Sequence, residues 1–169
     1  ATGASRTDAG VHALGQQVLF KLDSPIPTEN LLRAINDRLA DDMAVTSLCE
    51  VPVGFDIIGS VTSKQYRYRI YTGPVRPVFD VRYCWHLPHR FNIEAMARAS
   101  KILEGRHDFK SFAAAADSRI ESVRTIFRSE ISQQGEWIIY EVEGDGFLYN
   151  MVRNIVGTLV DVGAGRFAP

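Results

Sequence analysis

The stretch Ser5-Arg6-Thr7-Asp8-Ala9-Gly10-Val11-His12-Ala13 places an arginine, a hydroxyl, a carboxylate and an imidazole among small residues. Thr7 or Asp8 can hydrogen-bond back to the local main chain, and Gly10 opens a backbone conformation that other residues avoid. The spacing therefore predicts a tight polar turn that presents Asp8. Two readings stand on spacing alone: an Asx-type turn with solvated charges, or a turn that offers one reactive carboxylate. The other polar groups narrow the chemistry by exclusion. His12, His86, His89 and His107 lack metal-ligand spacing, and Cys49 and Cys84 do not join them. Gly144-Asp145-Gly146 lacks the residues that a nucleotide-binding fingerprint needs after it. No metal and no cofactor are expected.

Further along the chain, Lys64-Gln65-Tyr66-Arg67-Tyr68 forms a basic, aromatic run. Gly105-Arg106-His107-Asp108-Phe109-Lys110-Ser111-Phe112 and the segment from Gly146 through Arg153 to Gly157 are mixed polar and apolar, and Val162-Gly163-Ala164-Gly165 follows. Taken singly, Tyr66 reads as cross-strand packing and Arg153 as a helix arginine whose stem lies along apolar surface. Taken together and in this order, these stretches and the Asp8 segment resemble the tRNA pseudouridine synthase A family across nearly the whole chain.

That resemblance implies an isomerase that breaks the C1′–N1 bond of a uridine in the anticodon stem-loop of tRNA and remakes it to C5. Asp8 matches the single essential carboxylate, acting on the sugar or on the base. One carboxylate suits this chemistry and fits poorly with a glycosidase, which needs two. Arg153 matches an arginine that pairs with that aspartate, keeping it ionised and aimed. Tyr66 matches the tyrosine that stacks on the target uracil, with Tyr68, two residues on, as the competing assignment. Substrate contacts fall to Arg6, Tyr68, Arg67, Arg69, Arg106, His107 and Lys110, with Arg76 and Arg82 as further phosphate candidates. His12 reads as a turn anchor. Two departures stand out: Ser5 where many relatives carry glycine, and Tyr149 near a position often held by histidine. The resemblance also implies a strand–helix–strand before Asp8 and a segment after Gly165, so this chain reads as an internal piece. A non-catalytic RNA-binding module, or an inactive fragment of the enzyme, is the competing reading.

The rest of the sequence says what must position these groups. With 169 residues, 46% hydrophobic and 23% charged, the composition is that of an ordinary soluble globular protein. No apolar run approaches bilayer length, and no signal-peptide pattern opens the chain. Cys49 and Cys84 read as buried free thiols of a reducing compartment, pointing to the cytoplasm. Net charge is −1, yet residues 57–90 carry Lys64, Arg67, Arg69, Arg76, Arg82 and Arg90 against Asp80 alone. Residues 21–56 are correspondingly acidic, so a polyanion would be attracted to one face only.

Periodicity predicts strands over residues 17–23, 43–51, 64–71 and 81–87, and a hairpin from 122–132 and 137–143. It also predicts three helices. One is capped by Thr28, with Leu31, Leu32, Ile35 and Leu39 on its stripe; one runs from Asn92 to about Glu104; one begins at Asn150. Residues 113–118 read as a small-residue loop. The expected architecture is α+β: a mixed, mostly antiparallel sheet with helices on one side. The resemblance adds two lobes, residues 1–62 and 63–169, flanking a basic cleft. It also implies a homodimer, for which the apolar third helix supplies a physical reason.

Overall fold

The computed structural model describes residues 1–115 and 121–169, so residues 116–118 of the expected small-residue loop lie outside it. The chain divides into two compact units, Ala1–Ser60 and Val61–Pro169.

In the first unit, β1 (Thr2–Gly3) pairs antiparallel with β2 (Val18–Leu19). The strand expected over 17–23 shrinks to Val18–Leu19, opposite Gly3 and Thr2, and on the Gly3 side the regular ladder gives way at Ser5. There the Gln16 side-chain amide takes over, donating to the Ser5 carbonyl at 3.0 Å. Helix α1 (Thr28–Asn36) follows, with Pro27 rather than Thr28 at its N-cap and no side-chain cap. Leu31, Leu32 and Ile35 are its half-buried stripe, as the spacing predicts, whereas Leu39 lies half-buried beyond the end of the helix. No strand forms over 43–51. The Asn36 side chain instead occupies both backbone groups of Val45, donating to its carbonyl at 2.9 Å and accepting from its N–H at 2.7 Å. A side chain has thus replaced the neighbouring strand.

The second unit is built on a five-stranded sheet ordered β4-β3-β7-β6-β5. Its strands are β3 (Lys64–Tyr71), β4 (Trp85–His86), β5 (Gly105–Asp108), β6 (Val123–Gln134) and β7 (Trp137–Gly144). Every neighbouring pair is antiparallel except β3 and β4. The strand expected over 81–87 shrinks to β4 because successive turns, Asp80 N–H to Pro77 O and Tyr83 N–H to Asp80 O, occupy its first half. Cys49 is exposed and Cys84 half-buried, so the thiols are unpaired as expected but not buried.

Two helices cover one sheet face. Helix α2 (Ile93–Ile102) is capped by Asn92, whose Oδ1 accepts from Ala95 N–H at 3.0 Å. Helix α3 (Met151–Gly163) buries Met151, Ile155, Val156, Leu159, Val160 and Val162. All of these but Val162 pack with Ile70, Ile126, Ile138, Tyr140 and Val142 of the sheet and Met96 of α2. Gly163 makes this crossing possible, because a Cβ there would lie 2.6 Å from Met96 Sδ. The apolar stripe of α3 is therefore covered within the unit and leaves no surplus to drive dimerisation.

A buried polar group stitches α2 to the sheet. Ser129 Oγ and Tyr140 OH lie 3.0 Å apart, and Ser100 Oγ donates to Ser129 O at 3.3 Å. Glu104 Oε1 accepts from Ser129 N–H at 2.8 Å. Burial, ahead of every other cause, pushes the Tyr140 phenol up to about 12. A raised phenol stabilises the fold fully below its ordinary value of about 10, and that contribution is lost as pH rises through about 12. Tyr140→Phe is expected to cost about 1 kcal/mol at neutral pH through the lost hydrogen bond. It should also flatten the alkaline decline in stability. Urea midpoints of both proteins across that range check this.

Candidate active site

The Asp8 segment is a loop held shut at its base. The β1–β2 ladder, Ala4 N–H donating to Gln17 O at 2.9 Å, and the Gln16–Ser5 bond close it. At its tip Val11 N–H donates to Asp8 O at 3.0 Å, and Gly10 has φ +79°. Asp8 is thus the first residue of a β-turn whose third position demands positive φ, the geometry that glycine supplies without strain. Arg6, Asp8 and His12 are all exposed on this loop.

In the second unit the alternation of β3 separates the candidates. Tyr66 and Tyr68 face the helices with Ile70, opposite Val142, Tyr140 and Ile138 of β7. Tyr66 is half-buried and meets Phe147 edge-on at 5.0 Å. Tyr68 meets Trp85 edge-on at 6.4 Å. Arg67 and Arg69 lie on the opposite face, and each has an acidic neighbour there. Arg67 pairs with Glu141 at 2.7 Å, while Arg69 pairs with Asp80 at 3.1 Å and lies 4.4 Å from the Trp137 ring centre. Glu141 also faces Arg128 at 3.6 Å. The surplus of cations in residues 57–90 is therefore partly balanced by Glu141 of β7, which a local count of residues does not reveal.

Arg153 sits exposed in the first turn of α3. That turn is fixed from both sides. Asn150, at φ 58°, takes the left-handed conformation that asparagine tolerates. Asn154 Nδ2 donates to Phe112 O at 2.8 Å, and Ala114 N–H donates to Tyr149 O at 2.9 Å. The segment around Phe112 and the turn carrying Arg153 are thereby one assembly. Asn154 is a positioning group that sequence reasoning passed over, and its adjacency to Arg153 was the available signal.

Arg106, His107 and Lys110 cluster around β5 and the 3-10 turn Lys110–Phe112, all exposed. His107 Nε2 hydrogen-bonds the Glu104 carbonyl at 2.8 Å and meets Phe109 edge-on. Two strands intervene between β5 and β3, putting these groups about 14 Å from the Tyr66 strand. The candidates thus lie on the Asp8 loop, on the two faces of β3, and along β5 with the 3-10 turn that is bonded to the turn carrying Arg153. Among the described residues no cluster of histidine, cysteine and carboxylate could hold a metal ion, and no helix is long and apolar enough to cross a membrane.

Residues 99–169 match the family described as tRNA pseudouridine synthase. The tRNA pseudouridine synthase A of Moorella thermoacetica is 44% identical over 166 residues, which cover 98% of this chain and 68% of that protein. The chain belongs to the tRNA pseudouridine synthase A family. The Geobacillus kaustophilus member is 41% identical over 167 residues, covering 98% of this chain and 64% of its own length. The Anoxybacillus flavithermus member is 44% identical over 163 residues, covering 96% and 66%. The chain thus spans about two thirds of the length of these family members.

Within this family chain, the Asp108 carboxyl is held below its usual range, first by the Ser122 hydroxyl and then by Lys110 N–H. A depressed carboxyl stabilises the fold above its ordinary value of about 4, and that support is lost as pH falls through the depressed one. Asp108→Asn should therefore reduce the acid sensitivity of the segment from residue 108 to residue 112. Hydrogen exchange of the Lys110 and Phe112 amides at neutral pH and at about pH 3 checks this. Equal acid sensitivity in both proteins would contradict it.

Proposed function

We propose that the chain carries the chemistry of a tRNA pseudouridine synthase, isomerising uridine to pseudouridine in the anticodon stem-loop of tRNA. The observation that carries this reading is the Asp8 turn, with its glycine at positive φ, in a chain of this family. Asp8 is the reactive carboxylate, Arg153 its cationic partner, and Tyr66 the aromatic platform for the uracil. In the reaction the C1′–N1 bond breaks, C1′ bonds to C5, and the proton leaves C5 while N1 gains one. The charge of Asp8 serves this step as nucleophile or as base. Arg6, Tyr68, Arg106, His107 and Lys110 bind the RNA. Arg67 and Arg69 join them only by exchanging carboxylate partners for phosphates, so their contribution is smaller than their number implies.

Two further features complete the reading. The resemblance and the exposed apolar residues Val18, Leu22, Met43 and Ile58 of the first unit support a homodimer. Unpaired Cys49 and Cys84 support a reducing, cytoplasmic setting. A single-subunit mass by light scattering, together with full activity, would remove the dimer. The exposed cations Arg6, Arg106 and Lys110 would equally serve a second reading, an RNA-binding module without turnover. Release of label from tRNA transcribed with C5-tritiated uridine separates the two. The wild-type chain should release label, and Asp8→Asn should release none while keeping its thermal midpoint, because asparagine preserves shape and turn bonding but not charge. Retention of even about a tenth of the rate, a barrier change of only about 1.4 kcal/mol, would sink the assignment of Asp8.

A further inference from the structure

The segment between β3 and β4 displays apolar side chains that the second unit does not cover. Phe79 is 98% exposed, Val75 74% and Val78 70%, with Val81 and Tyr83 also exposed. Such a cluster is a patch rather than scattered surface residues. Its shape is fixed from beneath. Asp80 N–H donates to Pro77 O at 3.1 Å, closing a turn with Phe79 at its third position, and Tyr83 N–H donates to Asp80 O at 2.8 Å. The Asp80 carboxylate is tied to Arg69 of β3 at 3.1 Å. Phe79 is therefore presented by an anchored turn, at little ordering cost to binding.

Charge selects the partner. Arg76 and Arg82 flank Phe79 three residues to either side, both exposed, within residues 72–90, where Arg76, Arg82 and Arg90 outnumber Asp80. A two-fold contact centred on Phe79 would bring these guanidinium groups close to their own equivalents. A polyanion with accessible bases satisfies both features, since an aromatic face stacks on any base while arginines hold phosphates. Resting on the proposed function above, we propose that this turn is a second RNA contact, with Phe79 stacking on an unpaired base and Arg76 and Arg82 on the neighbouring phosphates.

The test compares in vitro transcribed tRNA with a blunt RNA duplex of equal length as binding probes. Phe79→Ala should lower tRNA affinity about tenfold, leave duplex affinity and the thermal midpoint unchanged, and be rescued by Phe79→Trp. Arg76→Ala should weaken both probes and reduce the salt dependence by about one phosphate. Unchanged tRNA affinity in Phe79→Ala, equal losses on both probes, or a lowered thermal midpoint or altered mass in place of an RNA effect would each overturn the contact. Wild-type protein that releases label while Phe79→Ala binds normally would overturn this contact alone. Wild-type protein that neither binds tRNA nor releases label would overturn the functional reading with it.

Discussion

The pairing of β3 with β7 is the constraint on which the second unit depends. It runs from Lys64 opposite Gly144 to Tyr71 opposite Trp137 without a break. Thr72 N–H donates to Glu136 O at 2.8 Å, so the directly bonded positions continue as Ile70–Ile138, Tyr68–Tyr140 and Tyr66–Val142. These pairs face the core. The intervening positions, where side chains approach most closely, hold Arg67–Glu141 and Gln65–Glu143 on the open face. A slip of one residue would exchange the faces and drive Arg67 and Arg69 toward α3. Burying an unpaired guanidinium costs far more than the slip could recover, so the register is strongly specified.

Chemistry then falls to the segments that this scaffold holds at its ends. The core-facing strands support α3, and α3 carries Arg153 in a turn bonded to the segment around Phe112. The anchored turn bearing Phe79 hangs from the same strand through Arg69. Loops fixed by a rigid sheet are where binding groups are expected, because the sheet supplies precision while the loop supplies access. Unit one follows the same logic on a smaller scale. A two-residue ladder and one glutamine side chain hold the loop that presents Asp8.

What the sequence makes legible is what local physics decides. The alternation of residues 64–71, the Asn92 cap, the stripe of α3 and the hairpin around Gly135 each declare their element, and each forms. What fails depends on partners distant in sequence. Residues 43–51 are β-prone, but at Val45 the Asn36 side chain takes both backbone groups that a ladder would use. Residues 81–87 have the alternation of a strand, and turns anchored by Asp80 override most of it. The site shows the same division. The Asp8 turn is readable from its glycine, whereas the carboxylates beside Arg67 and Arg69 come from β7 and the 77–80 turn and are invisible to spacing. The Asn154–Phe112 and Ser122–Asp108 bonds are likewise tertiary, joining segments that no periodicity connects.

Because the register of β3 against β7 assigns every one of these roles, cysteine pairing across it is the most direct test. Gln65 and Glu143 are directly opposite, at a non-hydrogen-bonded position where facing Cβ atoms come within about 5 Å. The double variant Gln65→Cys with Glu143→Cys, in a background with Cys49 and Cys84 changed to serine, should form a disulfide readily under mild oxidation and keep the native fold. Gln65→Cys with Glu141→Cys, offset by two residues along β7, should stay reduced under the same conditions. Preferential crosslinking of the offset pair would contradict the register, and with it the separation of the aromatic and charged faces.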